Sequence, residues 1–371
     1  TPNATDEYSI SYIKQEGEKG NPPSTDPTVT AKYWQWPYWN KESVYFVSKT
    51  ALGDKETLKV RLYSDQFDNS LHMYTNSDYT TLTNAVSGIS IYNDKTYGGS
   101  LELTTTRLAN HEIKLVSHYK VDKHQAKDGA AAITESFKDT LVSHGIEDNI
   151  RLADTLQLSL GLVQHSLTPD TVYKPGSPFS LPSKKSATNG QGGLFYDYSD
   201  SARFYATIAE KTRLPTLKDR YSAKFSTYIE NPGLRPEEST NYEIGYQGTP
   251  WFGAKASAAV FYNDISDKIQ TVYQPGKSTC TTTAKCQTTN VGKVHITGLE
   301  VGLTTPVNRW LEVGGNYTYL DLENVSNPGN KLTDIPREKL VLHATVHPTA
   351  LVQVIAFIES DSGRWASNTV K

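Results

Sequence analysis

The stretch TLKVRLY at residues 57–63 alternates strictly, with Leu58, Val60 and Leu62 on one side and Lys59, Arg61 and Tyr63 on the other. Successive side chains of an extended chain point to opposite faces, so this pattern predicts a strand with one apolar face and one polar face. TLQLSLG at 155–161 repeats it, setting Leu156, Leu158 and Leu160 against Gln157 and Ser159. Near the other end, Leu340, Leu342, Ala344 and Val346 oppose His343, Thr345 and His347. About fifteen such runs can be counted, from EYSISYIKQ at 7–15 to VQVIAFIES at 352–360, and they predict an all-β, antiparallel protein.

The connections between these runs alternate in length. Short ones are predicted near Gly53-Asp54, Ala109-Asn110, Ala153-Asp154, Ser199-Asp200, Gly248-Thr249, Pro306-Asn308 and Pro348-Thr349. Longer polar connections are predicted around residues 17–41, 69–93, 167–190, 213–235, 276–287 and 323–336. Short turns at one end and long loops at the other are the pattern of a transmembrane β-barrel, whose short turns lie in the periplasm. A β-propeller has a similar repeat length, but its blades pack four short strands, and no Trp-Asp pair occurs here. Strands of ~9 to 11 residues are what a bilayer requires, which favours the barrel.

Composition agrees with a wet interior and an apolar outer belt. Among 371 residues only 37% are hydrophobic, while Tyr reaches 23 copies and Met and Cys fall to 1 and 2. A barrel needs only every second strand residue to face lipid. The 37 basic and 40 acidic residues leave a net charge of -3 with no long run of one sign, so no nucleic-acid partner is indicated. No nucleophile elbow, phosphate loop or metal cluster is present, and the adjacent Glu237 and Glu238 would point to opposite faces of a strand. The chain therefore reads as a non-enzyme with no cofactor or metal site. Cys280 and Cys286 lie in the Thr-rich KSTCTTTAKCQTT at 277–289. A disulfide closing a small exported loop is the expected state, with two unpaired thiols as the alternative, and the ligands for zinc are missing.

The second half carries a more specific signal. TRLPTLKDRY at 212–221, NPGLRPEESTNYEIGY at 231–246, AAVFYNDISDKIQ at 258–270, NVGKVHITGLEVGL at 290–303 and LTDIPREKLVLHATV at 332–346 follow one another in order. Together they resemble the TonB-dependent outer-membrane receptors, whereas the first 190 residues match only in pattern. The resemblance implies a partial receptor barrel over residues 1–371, about fifteen strands of an expected ~22, with the plug domain and last strands outside the sequence. It also implies import of a scarce nutrient, foremost a ferric siderophore, driven by TonB acting through the plug in an outer-membrane lipid setting. A passive porin or adhesin barrel and a haem or cobalamin receptor are the alternatives.

The resemblance also bears on individual residues. Glu243 in NYEIGY and Glu300 in TGLEVGL alternate with apolar neighbours and are expected to face the interior at matching depth. Carboxylates at these positions of the family's motifs pair with plug arginines, which implies a plug-contacting role; two solvated lumen acids are the plainer reading. Tyr33, Trp34, Trp36, Tyr38 and Trp39 crowd one loop base, where they could grip an aromatic ligand or simply form a membrane-interface girdle. Arg213 and Arg220 could bind an anionic ferric complex, although loop arginines are commonly solvated. The stretch from Arg213 to Asn231 contains no His, and His124, His144 and His165 lack ligand spacing, so siderophore is favoured over haem.

Overall fold

The computed structural model describes residues 5–22, 31–129, 132–177, 179–223, 226–277 and 279–365. The parts of the predicted loops at 23–30, 178, 224–225 and 278 lie outside the described residues. Strands dominate, and the chain divides into two compact units. Among the described residues no helix is long and apolar enough to cross a membrane.

The first unit comprises Thr1–Leu108, Ile113–Ile146 and Val163–Ser186. It holds β1 (Glu7–Gln15), β2 (Lys19–Gly20), β3 (Tyr33–Ala51), β4 (Glu56–Tyr74), β5 (Ile89–Thr105) and the greater parts of β6 (His111–Asp128), β7 (Glu135–Ala153) and β8 (Leu156–Tyr173). Their order in the sheet is β1-β3-β4-β5-β6-β7-β8, with β2 beside β3. Register confirms the predicted apolar face: Leu58 lies opposite Leu103, Val60 opposite Leu101, and Leu62 opposite Phe46, which in turn faces Ile10.

The second unit comprises Ala109–Glu112, Glu147–Leu162 and Ala187–Lys371. Its strands are β9 (Lys185–Ser199), β10 (Ala202–Arg213), β11 (Tyr228–Ile229), β12 (Glu237–Gly248), β13 (Lys255–Ser266), β14 (Ile269–Val272), β15 (Cys286–Asn290), β16 (Val294–Asn308), β17 (Leu311–Asn324), β18 (Glu338–Thr349) and β19 (Val352–Ser362). The sheet order is β9-β10-β12-β13-β16-β17-β18-β19, all antiparallel. One apolar row crosses it: Leu194, Ala206, Ile244, Val260 and Leu299 face one another strand by strand. Leu340 and Leu342 continue this face opposite Tyr317 and Gly315.

The sequence marks the short turns well and the long loops less well. Strands run past the predicted loop edges, since β3 begins at Tyr33, β4 reaches Tyr74, β5 starts at Ile89 and β9 at Lys185. Beyond the apolar belt aromatic and polar residues are mixed on both faces of these strands, so the period-two signal vanishes although backbone pairing continues. The predicted loop at 213–235 contains a helical turn, α1 (Leu217–Tyr221), and β11. β14 and β15 pair as a hairpin, and β11, β15 and β14 make a separate three-stranded sheet that the sequence does not announce. A connection between β6 and β7 is also missing from the predicted set.

Candidate functional site

Glu243 and Glu300 both extend from the polar face of the second unit, because their neighbours Tyr242, Ile244, Leu299 and Val301 occupy the apolar one. Register sets their relation along the strands, whose tilt separates register from depth. Glu243 faces Phe261, which faces Gly298, while Glu300 faces Ala259, which faces Gly245; the two acids are one polar-face step out of line. A register shift between Pro306 and Asn308 spoils any count taken back from the short turn.

Two aromatic rings build this surface. Tyr205 lies over Gly245, where an added Cβ would come within 2.4 Å of its ring, and Phe261 lies over Gly298, where a Cβ would come within 2.1 Å. With its ring so placed, the Tyr205 hydroxyl donates to Glu243 at 2.7 Å. Among the described residues neither Glu243 nor Glu300 forms an ion pair with the wall. Lys339, reached from Glu300 through Thr318, is held by Glu359 at 2.5 Å and Asp361 at 4.0 Å. Two acids therefore stand on the polar face without a cation. Gly245→Val should overpack the Tyr205 ring, break its bond to Glu243 and cost about 1–3 kcal/mol. Tyr205→Phe should lose only the hydrogen bond, about 0.5–1.5 kcal/mol, and thermal unfolding in detergent separates the two.

The long-loop end of the same unit is built on a charged junction that sequence reasoning missed. Glu237, at the start of β12, accepts from Lys268 Nζ at 3.0 Å and from the Ile269 backbone N–H at 2.8 Å, and Arg213 lies 3.6 Å away. Its side chain is only 10% exposed. Arg213, a candidate ligand residue, donates to Asp219 at 2.8 Å. Asp219 also accepts from Thr216 in a reciprocal cap that starts α1. Arg220, the other candidate, is fully buried, lies over the Tyr221 ring and donates to the Thr216 carbonyl. Arg220 thus serves the loop scaffold from the interior, whereas Arg213, 44% exposed, is tied to Asp219 at the loop surface. Arg235 adds a two-pronged bond to Asp267, with one distance of 3.0 Å, and holds that carboxyl below its ordinary range.

Cys280 and Cys286 are joined in a disulfide with their Cα atoms 5.3 Å apart, closing the loop of the β14–β15 hairpin. Cys286 is buried beside β11. Closing so short a loop is worth about 2 kcal/mol in the chain-entropy view. Reduction should therefore speed tryptic cleavage at Lys285 while leaving the strand register of the large sheet intact, read by gel and mass spectrometry.

In the first unit, Tyr33, Trp34, Trp36, Tyr38 and Trp39 all fall on β3, where a register shift lies between Gln35 and Tyr38. Trp34, Trp36 and Trp39 form one run of edge-to-face rings, and Tyr33 has a different ring partner. Trp39 meets Phe67 edge to face at 4.8 Å and carries Lys19 Nζ 3.1 Å from its ring centre, whereas Tyr33 packs on Tyr79. Trp36 bridges Trp34 and Trp39.

The profile of the family described as TonB dependent receptor-like, beta-barrel matches residues 2–369. The chain belongs to the TonB-dependent receptor barrel family. An iron-regulated outer membrane virulence protein of Vibrio cholerae is 31% identical over 115 residues, covering 29% of this chain and 18% of that protein. The ferric enterobactin receptor of Pseudomonas aeruginosa is 32% identical over 127 residues, covering 32% of this chain and 17% of that one. Among solved structures, the ferric preacinetobactin receptor BauA of Acinetobacter baumannii superposes with a TM-score of 0.72 at 14% identity, over 99% of this chain and 61% of that one. The copper transporter OprC superposes at 0.73, over 93% of this chain and 54% of that one. The chain thus spans little more than half of these structures, and they speak for the fold alone. As a TonB-dependent receptor barrel it resides in the outer membrane, with its apolar face to lipid, its short turns toward the periplasm and its long loops outside.

Proposed function

We propose that this chain forms the wall of a receptor that imports a ferric siderophore across the outer membrane with TonB-coupled energy, and that Glu243 and Glu300 hold a plug through its arginines. The observation carrying this reading is the pair of lumen-face acids left without a wall cation among the described residues. Like charges two strand spacings and one polar-face step apart, ~12 Å between backbones, are most stable when a cation from another segment lies between them. The names of its relatives, an iron-regulated protein and a ferric enterobactin receptor, support iron as cargo. Transport rather than catalysis follows from the same reading.

The test is uptake of radiolabelled iron by cells expressing the full-length receptor, with ferric siderophores and haem as separate arms. Glu243→Gln with Glu300→Gln should leave ligand binding at the surface intact and lower TonB-dependent uptake by about tenfold, the equivalent of one lost charge-assisted contact. Uptake unchanged by the double substitution would sink the plug-holding role, and uptake independent of TonB would sink energy coupling.

A further inference from the structure

Register places lysines where like charges should not meet. In the first unit Lys95 of β5 lies directly opposite Lys123 of β6, with no register shift in the pairing of β5 with either β4 or β6. Like charges facing each other across a strand pair destabilise it. Neither lysine has an ion-pair partner among the described residues. Lys127 lies on the same face, opposite Ile91.

That face is the lipid-facing one. Lys95 alternates in step with Tyr97, Gly99, Leu101 and Leu103, and Lys123 in step with Val121, which its neighbours cover, and then Tyr119, Ser117 and Leu115. Tyr97 and Tyr119 are both exposed, at 38% and 47%, and lie just below the lysines on the side of the short turns. Tyrosines favour the membrane interface, where an aromatic girdle closes the apolar belt. With ~3.4 Å rise per residue and a strand tilt of ~40°, Lys95 lies roughly 25 Å above the turn end of β5, which is the height of that belt. The lysines therefore sit at the headgroup level of the outer leaflet.

The acidic neighbour on this face does not neutralise them. Asp68 is occupied by amide donors from Gln66, at 2.8 Å, and from Asn93. In the second unit the strand residues of this face above the belt carry the opposite sign, with Glu210 on β10, Glu238 on β12, Asp264 on β13, Asp321 and Glu323 on β17 and Glu338 on β18. Of these, Asp264 pairs with Lys293 and Asp321 with Arg337. The basic patch is thus a local feature rather than the rule for this face.

We infer that Lys95, Lys123 and Lys127 form a binding site for a phosphate-bearing lipid headgroup of the outer leaflet. Their stems lie along the apolar belt while the ammonium groups meet the phosphate, and the lipid's acyl chains cover Leu101, Tyr97 and Tyr119 below. A bound phosphate also removes the repulsion that the register imposes.

The receptor, extracted from outer membranes in mild detergent, is incubated with bisphosphorylated lipid A, with phosphatidylglycerol or with inorganic phosphate, and bound lipid is counted by native mass spectrometry. Wild type should retain lipid A, and Lys95→Gln with Lys123→Gln should weaken retention about tenfold or more. Lys293→Gln in the second unit should not change it. Preference for phosphatidylglycerol over lipid A would overturn an outer-leaflet source, and equal retention by wild type and double variant would overturn the site. Heat-dependent migration on gels checks that each variant is folded, and the single variants Lys95→Gln and Lys123→Gln replace the double one if it is not. Loss of lipid A from wild type on adding salt or inorganic phosphate is the second expected result, and retention indifferent to both would count against a phosphate contact.

Discussion

Ile244→Arg is expected to destabilise the barrel by about 2–4 kcal/mol, because it sets a charge on the lipid face near mid-bilayer. Ile244 is 64% exposed and lies between Ala206 and Val260, in the row that continues to Leu299. Tyr242 stands one step nearer the long loops and Tyr246 one step nearer the short turn, so the guanidinium cannot reach either headgroup layer without dragging its stem past a ring. On the polar face of the neighbouring strand, Ser257→Lys should cost far less, since that wall is wet. Urea titration of refolding into phosphatidylcholine vesicles measures both. Equal costs for the two variants would reverse the assignment of faces for β12 and β13, and with it the orientation of Glu243 and Glu300.

The faces were legible in the sequence because one physical rule, period-two alternation, applies wherever one side of a strand meets lipid. Leu58, Val60 and Leu62 could be placed from TLKVRLY alone, and the register bears this out. Where aromatic and polar residues are mixed on both sides of the strand the rule is silent, which is why β3 and β4 extend into the loops predicted around them. The loop architecture was illegible for a different reason. The burial of Arg220 and the three-stranded sheet of β11, β15 and β14 depend on contacts between segments far apart in the chain, such as Asn231 donating to the Thr288 carbonyl at 3.0 Å. Glu237 and Glu238 do not make a catalytic pair, but the same alternation rule bears on where Glu237 points. Adjacent strand residues face opposite ways, so one of the two had to point to the polar side, and the basic residues Arg213 and Lys268 in the flanking motifs were its available partners.

Replacing Glu237 by Ala should open the long-loop end of the second unit while leaving its membrane-spanning strands in place. The substitution strips Lys268, whose side chain is 24% exposed, of its carboxylate and leaves the Ile269 N–H without its acceptor. Arg213 keeps Asp219 and so is not orphaned. Breaking a largely buried ion pair together with a backbone hydrogen bond costs about 3 kcal/mol, somewhat less where water reaches the lysine. Because β14 begins at Ile269 and pairs with β15, the cost falls on that hairpin and on β11 beside it. Amide exchange in residues 269–272 and 286–290 should therefore accelerate by roughly a hundredfold, with exchange in β12 and β13 below the belt unchanged. Glu237→Gln keeps the shape and one acceptor but not the charge, and should give an intermediate acceleration. The disulfide still closes residues 280–286 in both variants, so faster exchange cannot be assigned to loss of that link. Uniform acceleration over the whole second unit would show that Glu237 supports the barrel itself, and no acceleration at all would show that the junction with Lys268 contributes nothing to holding the loops.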